Sequence, residues 1–308
     1  MSYISPKRST AAPIVTVIIA TYNRSATLSF TLQTVRAQTF RDFEVLVIGD
    51  ACTDDSEKVV RKFRDPRFHW TNLERNSGGQ WGPNNEGLKR ARGRYIAYLG
   101  HDDLWFPWHL SLLTSFAEKT GADLAYAMTA AFGPEGRIRF SGPLGGLRTF
   151  ASGHVPPSSW LHKRELAEKI GGWRSHLELS LPTDCDFLRR TYRLNKKIEF
   201  CKDLSVMKFP SPWWGMYALN GNYPQLTYLE KLRSDPQKLY TELLRQGATG
   251  FLQFYTPLLS IRDSFKSLIR TIAIHFLNFY GRDRWPIVLM FRWRFRRTMR
   301  RIRRLRGL

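Results

Sequence analysis

The chain has 308 residues, 43% of them hydrophobic and 14% aromatic, and its 48 lysines and arginines against 26 acidic residues give a formal charge of +22. This composition is typical of a globular protein and excludes a disordered or fibrous chain. So large a positive charge indicates an anionic partner: a phosphorylated substrate, a lipid surface or nucleic acid. Three cysteines cannot build a disulfide framework and their spacing fits no zinc motif, so we expect a reducing compartment. The polar start predicts no signal peptide, and no apolar run is long enough to predict a spanning helix.

The first half of the chain alternates between strand-like and helix-like segments. The predicted strands cover residues 14–20, 43–48, 67–73 and 94–99. The predicted helices cover residues 25–38, 56–63, 84–91 and 104–116, with Ser25 as the N-cap of the first, and the chain after residue 224 is expected to be helical. Such alternation is typical of an α/β fold in which a mostly parallel sheet carries helices on both faces.

Polar clusters follow three of these strands, at residues 21–24, 50–55 and 102–103. Ligands bind beyond the carboxyl ends of parallel strands, so three clusters on one rim predict a binding site. Asp102 and Asp103 are adjacent acids directly after the fourth strand. They favour a divalent-cation site with Mg²⁺ or Mn²⁺, and the alternative is a cap for the helix that follows.

A second acidic pair, Asp184 and Asp186, lies in the segment LPTDCDFLRR at 181–190. The pair is expected at the start of a helix that Thr183 caps, where the helix dipole favours acids. A carboxylate that points from such a helix into a cleft can also serve as a general base. The spacing alone leaves both interpretations open.

Four sequence blocks, in order, resemble the motifs of one enzyme family. They are VTVIIATYNR at 15–24, IGDACTDDS at 48–56, the stretch at 76–107 that begins NSGGQWGPNNEGL and ends YLGHDDLWFP, and GGWRSHLELSLPTDCDFLRR at 171–190. The chain is similar, over about residues 13–210, to the inverting, nucleotide-sugar-dependent glycosyltransferases of family 2. The resemblance implies a GT-A fold, a Rossmann-like, mostly parallel sheet with helices on both faces.

The resemblance also implies roles for individual residues. Asp184 would be the catalytic base, with Asp186 supporting its helix, and Asp102 and Asp103 would hold the metal. The implied donor-binding residues are Thr21, Tyr22, Asn23, Arg24, Asp50, Asn76, Asn85 and Asp102. Among these, Asp50 would accept a hydrogen bond from the base, while Asn76 and Asn85 would order the loop beside the nucleotide. Three positions depart from the family pattern, because Gly49, Gly100 and Thr183 stand where the family often has acids.

The function implied is transfer of a sugar from a nucleotide-diphosphate donor, with UDP as the expected carrier, to a hydroxyl of a glycan or lipid-linked acceptor. The reaction would be a single inverting displacement in the synthesis of a cell-surface polysaccharide. Trp213 and Trp214 are candidates for a platform under the acceptor sugar. The departures from the family pattern leave an alternative open: a nucleotide-binding protein without catalysis that acts through its basic tail.

The last 27 residues form that tail. Residues 282–308 contain eleven arginines and one aspartate, a net charge of +10. Apolar residues recur on one side of the predicted helix, at Phe291, Phe295, Met299, Ile302 and Leu305. We therefore predict a catalytic domain at 1–225, a helical extension at 226–308, and a peripheral location on the inner, cytoplasmic face of a membrane with anionic lipids. A solvated tail is the alternative, and nucleic acid is disfavoured because no RNA-binding module accompanies the arginines.

Overall fold

The computed structural model of the chain describes residues 12–133, 138–141, 155–179, 182–210 and 223–255, with side chains as far as residue 247. The predicted tail at 282–308 and the pair Trp213 and Trp214 lie outside these ranges. Within them, no helix combines the length and the apolar character needed to cross a lipid bilayer.

A nine-stranded sheet runs through the described residues. Its strands are β1 (Val15–Thr21), β2 (Phe43–Gly49), β3 (Phe68–Asn72), β4 (Tyr95–Gly100), β5 (Leu104–Trp105), β6 (Leu124–Phe132), β7 (Ile138–Ser141), β8 (Trp160–Lys163) and β9 (Ile198–Lys208). Their order is β3-β2-β1-β4-β8-β6-β9-β5, and β7 pairs with β6 off this path. Strands β3, β2, β1 and β4 are all parallel, whereas β8 pairs antiparallel with both β4 and β6.

Helices cover both faces of this sheet. The described helices are α1 (Ser25–Arg36), α2 (Ser56–Lys62), α3 (Trp81–Arg90), α4 (His109–Thr120), α5 (Arg164–Ile170), α6 (Thr183–Arg193), α7 (Pro224–Ser234) and α8 (Pro236–Tyr255). Alternate residues of β1 face opposite sides, so Val17 packs with α1, α2 and α4 while Ile18 packs with α3, α5 and α6. The predicted α/β fold, with a mostly parallel sheet and helices on both faces, is confirmed. Helix α7 begins beside the predicted domain boundary, which stays a prediction.

The structure corrects several local predictions. Leu104 and Trp105 form a short strand instead of starting a helix, because they pair antiparallel with Met207 and Val206 of β9. Helix α4 therefore begins only at His109, and the acids at 102–103 cap no helix. Helix α3 begins at Trp81 rather than at residue 84.

The predicted caps are also displaced by one residue. Ser25 and Thr183 are the first residues of α1 and α6, and the N-cap positions belong to Arg24 and Pro182. Neither N-cap residue makes a side-chain capping hydrogen bond. The first N–H group of α1 is instead satisfied from another loop, as described below.

Candidate active site

The loops after β1 and β2 are bonded to one another at the carboxyl ends of these strands. The N–H of Asp50 donates to the carbonyl of Thr21 at 2.8 Å. The side-chain oxygen of Asn23 accepts from the N–H groups of Thr53 at 2.8 Å and Asp54 at 3.3 Å. Two of the three predicted polar clusters thus form a single wall. In the same wall Tyr22 is half-buried, and the buried Arg24 precedes the first turn of α1.

Asp50 is held against the loop that follows β3. Its carboxylate accepts from the N–H of Ser77 at 2.8 Å, and its carbonyl accepts from the side-chain amide of Asn76 at 2.8 Å. The oxygen of that amide in turn accepts from the N–H of Gly78 at 2.7 Å. Asp50 is only 4% exposed, so the loop fixes the direction in which its carboxylate points.

The turn between Asp50 and Cys52 has an unusual backbone. Ala51 adopts a left-handed conformation with φ of 60°, and the amide of Asn72 clamps Cys52 by accepting from its N–H (2.8 Å) and donating to its carbonyl (2.9 Å). A Cβ atom at Gly49 would lie 2.4 Å from the side-chain oxygen of Asn72 and 2.7 Å from the ring of Trp70. The absence of an acid at Gly49 therefore has a packing cause.

The two acids after β4 occupy different environments. Asp103 is fully buried, and three groups donate to its carboxylate: Ser158 Oγ at 2.5 Å, Lys208 Nζ at 3.0 Å and the N–H of Phe209 at 3.0 Å. Asp102 is 8% exposed, and its carbonyl accepts from the side-chain amide of Gln225 in α7 at 3.0 Å. Asp103 is thus bound on both carboxylate oxygens by the protein itself.

Lys208, at the end of β9, interacts electrostatically with acids of two separate segments. Burial lowers the pKa of this lysine, but the carboxylates of Asp103, Asp102 and Asp184 raise it by more, so the net shift of the pKa is upward and the ammonium stays charged at neutral pH. One cation is therefore within electrostatic reach of all three acids that the sequence predicts for metal binding and catalysis.

A small cavity lies at this junction. Its volume is about 190 Å³, and Gln80, Asn84, His101, Asp102 and Lys208 supply polar side chains to its wall. A Cβ atom at Gly100 would lie 2.9 Å from Asp103 Oδ2 and 3.1 Å from Asp102 Oδ1. An acid at Gly100 would crowd these two carboxylates, so the smallest residue is the one that fits.

Asp184 is the second residue of α6 and is 5% exposed. Its carboxylate accepts from the N–H of Cys185 at 2.9 Å. The preceding Thr183 accepts from the side-chain amide of Gln80 at 3.2 Å. Because Gln80 also lines the cavity, this hydrogen bond links the start of α6 to the cavity wall.

Asp186 and Asn85 support the neighbouring turn at 171–173. Asp186 is fully buried and accepts from Arg190 Nε at 2.8 Å, while the same guanidinium donates to the carbonyls of Ile170 and Gly172. Both amide atoms of Asn85 bond to the backbone of Trp173, each at 2.8 Å. Asp186 thus supports its helix, as the sequence predicts, whereas the amide of Asn85 is committed to this turn rather than to the loop that Asn76 orders.

Three residues that the sequence did not single out take part in this arrangement. Lys208, Ser158 and Gln80 each bond to, or lie beside, a predicted site residue. Only Lys208 carried a signal, since it is a charged residue at the end of a buried apolar strand.

Few of the described side chains are placed to bind a divalent cation. Among the described residues, no group of three or more His, Cys, Asp or Glu side chains is arranged to hold a metal ion. Asp103 does not fit as a ligand, because Lys208, Ser158 and Phe209 already occupy its carboxylate. Asp102 fits, because Mg²⁺ is commonly bound through one carboxylate together with waters and substrate phosphates.

Part of the chain matches the profile of a known protein family. Residues 16–165 match the profile described as "Glycosyl transferase family 2". Over these residues, just under half of its length, the chain matches glycosyltransferase family 2. The matched region contains the strand-end loops, the acids after β4 and the cavity wall as far as Ser158, which confirms the resemblance found in the sequence.

The chain is also similar to curated glycosyltransferases. An Escherichia coli protein named UDP-Glc:alpha-D-GlcNAc-diphosphoundecaprenol beta-1,3-glucosyltransferase WfaP is 32% identical over 114 residues, which cover 37% of this chain and 45% of that protein. The succinoglycan biosynthesis protein ExoO of Rhizobium meliloti is 34% identical over 122 residues, 40% of this chain and 35% of the relative. The chain thus spans less than half the length of these relatives.

Solved structures share the fold. Staphylococcus aureus TarS residues 1–349, in complex with UDP-GlcNAc, has a TM-score of 0.57 at 22% identity over 85% of this chain and 72% of that one. The mannosyltransferase PcManGT of Pyrobaculum calidifontis, in complex with GDP-Man and Mn²⁺, has a TM-score of 0.54 at 15% identity over 89% of each chain. At these identities the likeness concerns the GT-A fold.

Proposed function

We propose that the protein is an inverting glycosyltransferase that moves a sugar from a nucleotide-diphosphate donor, with UDP as the carrier, to a hydroxyl of a glycan or lipid-linked acceptor. The observation that supports this most strongly is that Asp102 and Lys208 line one cavity and Asp103 anchors this lysine, with Asp184 within electrostatic reach of the same ammonium. Asp184 is 82 residues from Asp102 in sequence, so it is the fold that brings both within electrostatic reach of Lys208. The curated relatives are named for glycan synthesis, which favours the same activity.

The donor would occupy the rim formed by the first two strand-end loops. The nucleoside would lie against residues 21–24, where the carboxylate of Asp50 is held in place by Ser77 and can accept a hydrogen bond from the imide N–H of a uracil ring. The diphosphate would extend from there to the cavity beside Asp102. Asn85 would act on the donor side only through the turn at Trp173 that it holds.

Asp184 is proposed as the general base. Its carboxylate would take the proton of the acceptor hydroxyl, whose oxygen then attacks the anomeric carbon from the face opposite the diphosphate. The bond between that carbon and the diphosphate oxygen breaks, and its electron pair leaves with the diphosphate. The hydrogen bond from Gln80 to Thr183 would hold the start of α6 against the donor cavity, so that base and donor keep a fixed separation.

A divalent cation, Mg²⁺ or Mn²⁺, is proposed to bind Asp102 together with the donor diphosphate. When bound, it offsets the negative charge that develops on the departing diphosphate. Asp103 is not proposed as a ligand of this cation, because its carboxylate already accepts hydrogen bonds from Ser158, Lys208 and Phe209.

We also propose that the protein works at the inner face of a membrane, with the Arg-rich segment 282–308 on anionic lipids. The support is its charge and its periodic apolar residues, and a lipid-linked acceptor would lie at that surface. Catalysis and membrane binding are separate proposals with separate tests.

The donor proposal is tested by thermal unfolding of the full chain with UDP, GDP, dTDP and CMP, each with and without Mn²⁺. A ligand that binds the native state raises Tm by mass action, and we expect a selective increase with UDP that is larger in Mn²⁺. No increase with any of these nucleotides would contradict the proposal and favour a protein that works through its basic tail alone.

The base is tested with Asp184→Asn. This variant should keep the Tm increase with UDP, since the amide is nearly isosteric, and should lose at least about 100-fold in sugar transfer, the usual contribution of a general base. Asp42→Asn removes the charge of an exposed acid directly before β2, at the end of that strand away from the donor rim, and should transfer at the wild-type rate. Equal rates for the two variants would show that Asp184 is not the base.

A further inference from the structure

We propose that Lys208 binds the diphosphate of the donor, and that Asp103 is the anchor of this lysine rather than a metal ligand. The proposal rests on the proposed function, since it concerns the same donor site. It adds a substrate-binding residue that lies 43 positions beyond the region matched by the family profile.

The hydrogen bonds of Asp103 show what this carboxylate does. One oxygen accepts from both Ser158 Oγ (2.5 Å) and Lys208 Nζ (3.0 Å), and the other accepts from the N–H of Phe209 (3.0 Å). A metal ion on Asp103 would have to displace the ammonium and then lie beside it, at a Coulombic cost in a fully buried position. The carboxylate is therefore a fixed counter-charge for the lysine.

The ammonium of Lys208 can donate further hydrogen bonds. An ammonium carries three N–H donors, and among the described residues one of them is used, on Asp103. The side chain of Lys208 is 18% exposed and contributes to the wall of the cavity. Two donors and a full positive charge are thus available to an anion that enters the cavity.

The position of Lys208 is set before any ligand arrives. Asp103 is itself tied to α1, because its carbonyl accepts from Thr31 Oγ at 2.9 Å, and to the turn after β4, because its N–H donates to the carbonyl of Gly100 at 3.1 Å. A lysine so anchored has already lost the rotamer freedom that phosphate binding otherwise costs. Lysine is a common phosphate ligand because its charge is compact.

The cavity also explains how Lys208 and Asp102 act together. Both line a space of about 190 Å³, so a phosphate group that enters it meets the ammonium and whatever cation Asp102 holds. As the bond from the anomeric carbon to the diphosphate breaks, negative charge accumulates on the leaving oxygen, and a fixed ammonium stabilises that charge without moving.

The test is a set of dissociation constants for UDP and for uridine, with Mn²⁺ and with EDTA, measured by calorimetry. Lys208→Met alone would leave Asp103 buried without its counter-charge, so Lys208 is removed in an Asp103→Asn background. The proteins compared are wild type, Asp102→Asn, Asp103→Asn and the double variant Asp103→Asn/Lys208→Met. A second double variant, Asp103→Asn/Lys208→Gln, serves if the first does not fold.

We expect Asp103→Asn to have a lower Tm, because Lys208 loses its buried counter-charge and one donor loses its acceptor, but to bind UDP more tightly in Mn²⁺ than in EDTA, as wild type does. Asp102→Asn should lose this effect of Mn²⁺. The double variant should bind UDP about 10-fold more weakly than Asp103→Asn in both Mn²⁺ and EDTA, while uridine binds all four proteins alike.

Two results would overturn the proposal. If Asp103→Asn loses the effect of Mn²⁺ as completely as Asp102→Asn, Asp103 is a metal ligand. If the double variant binds UDP as tightly as Asp103→Asn, Lys208 does not contact the diphosphate. Failure of the wild type to bind any nucleoside diphosphate would instead contradict the proposed function itself.

Discussion

Among the single residues, Ala51 has an energetically unfavourable backbone conformation in the loop that follows β2. Its left-handed φ of 60° costs an L-residue with a Cβ atom about 1–2 kcal/mol. The structure sustains the conformation through the hydrogen bonds of Asn72 to Cys52 and of Asp50 to Thr21.

Ala51→Gly is therefore expected to raise the free energy of unfolding by about 0.5–1 kcal/mol, since glycine removes the steric cost but loses more entropy on folding. Urea unfolding of the full chain measures the change. Ala26→Gly is the matched control, because Ala26 lies inside α1, where the same substitution should lower stability by about 0.5–1 kcal/mol. Loss of stability in both variants would mean that Ala51 is not strained.

Single residues of the site also differ in how far the sequence predicts their surroundings. Asp50 and Asn76 lie together because both follow strands of one parallel sheet, which the strand pattern anticipates. The ion pair between Asp103 and Lys208 joins residues 105 positions apart, and no local pattern encodes it. That is why two adjacent acids look equivalent in the sequence and differ in the structure.

At the scale of elements, Asp54 connects the starts of two helices. Its carboxylate accepts from the N–H of Ser25, the first residue of α1, at 2.8 Å, and from the N–H of Ser56, the first residue of α2, at 3.1 Å. Neither helix has a side-chain cap at its own N-cap position. One carboxylate thus satisfies both helix starts and sets the spacing of the loops that form the donor wall.

Asp54→Ala is expected to lower the free energy of unfolding by about 1–2 kcal/mol, since it removes a capping acceptor from each of two helices. The neighbouring Asp55 gives a control with the same change in charge. It forms a pair with Lys58 in which both side chains are mostly exposed, 68% and 76%, and such pairs contribute little.

In urea unfolding, Asp54→Ala should therefore be clearly less stable than Asp55→Ala, whose free energy of unfolding should lie within about 0.5 kcal/mol of the wild-type value. If Asp54→Ala is equally mild, water replaces the lost acceptor at both helix starts. Tm increases with UDP would then show whether the donor wall still forms without this connection.

The elements themselves were largely predictable, and the exceptions have identifiable causes. Strands β1, β2 and β4 are mostly apolar and rich in β-branched or aromatic residues, as a parallel sheet covered on both faces requires. Strand β5 was missed because it has two residues, Leu104 and Trp105, whose apolar character equally suits a helix. Its strand identity depends on pairing with β9, about a hundred residues later.

In the molecule as a whole, the positive charge is unevenly distributed along the chain. The segment 282–308 has a net charge of +10, nearly half of the +22 of the chain. Donor binding needs few of these charges, because the site described above is built from residues 21–208. The excess of positive charge in residues 282–308 favours an anionic surface as the partner. The regular apolar positions in this segment favour a lipid surface over nucleic acid.

Replacement of Arg296, Arg297, Arg300 and Arg301 by glutamine is expected to weaken binding to vesicles of mixed anionic and zwitterionic lipid by about 100-fold or more. Each basic residue near an anionic surface contributes about 1 kcal/mol. Binding of the full chain is measured by vesicle sedimentation at two salt concentrations. The wild type should bind less at higher salt, because ions screen the attraction.

The matched control replaces four basic residues on the surface of the α/β fold by glutamine, at Arg36, Arg41, Lys89 and Lys119, all of which are exposed. The two quadruple variants have the same total charge, so a general attraction of a basic protein to an anionic surface would weaken both equally. A loss confined to the tail variant locates the membrane contact in residues 282–308. Strong binding to purely zwitterionic vesicles would contradict an electrostatic contact, because the surface would then be recognised through apolar residues alone.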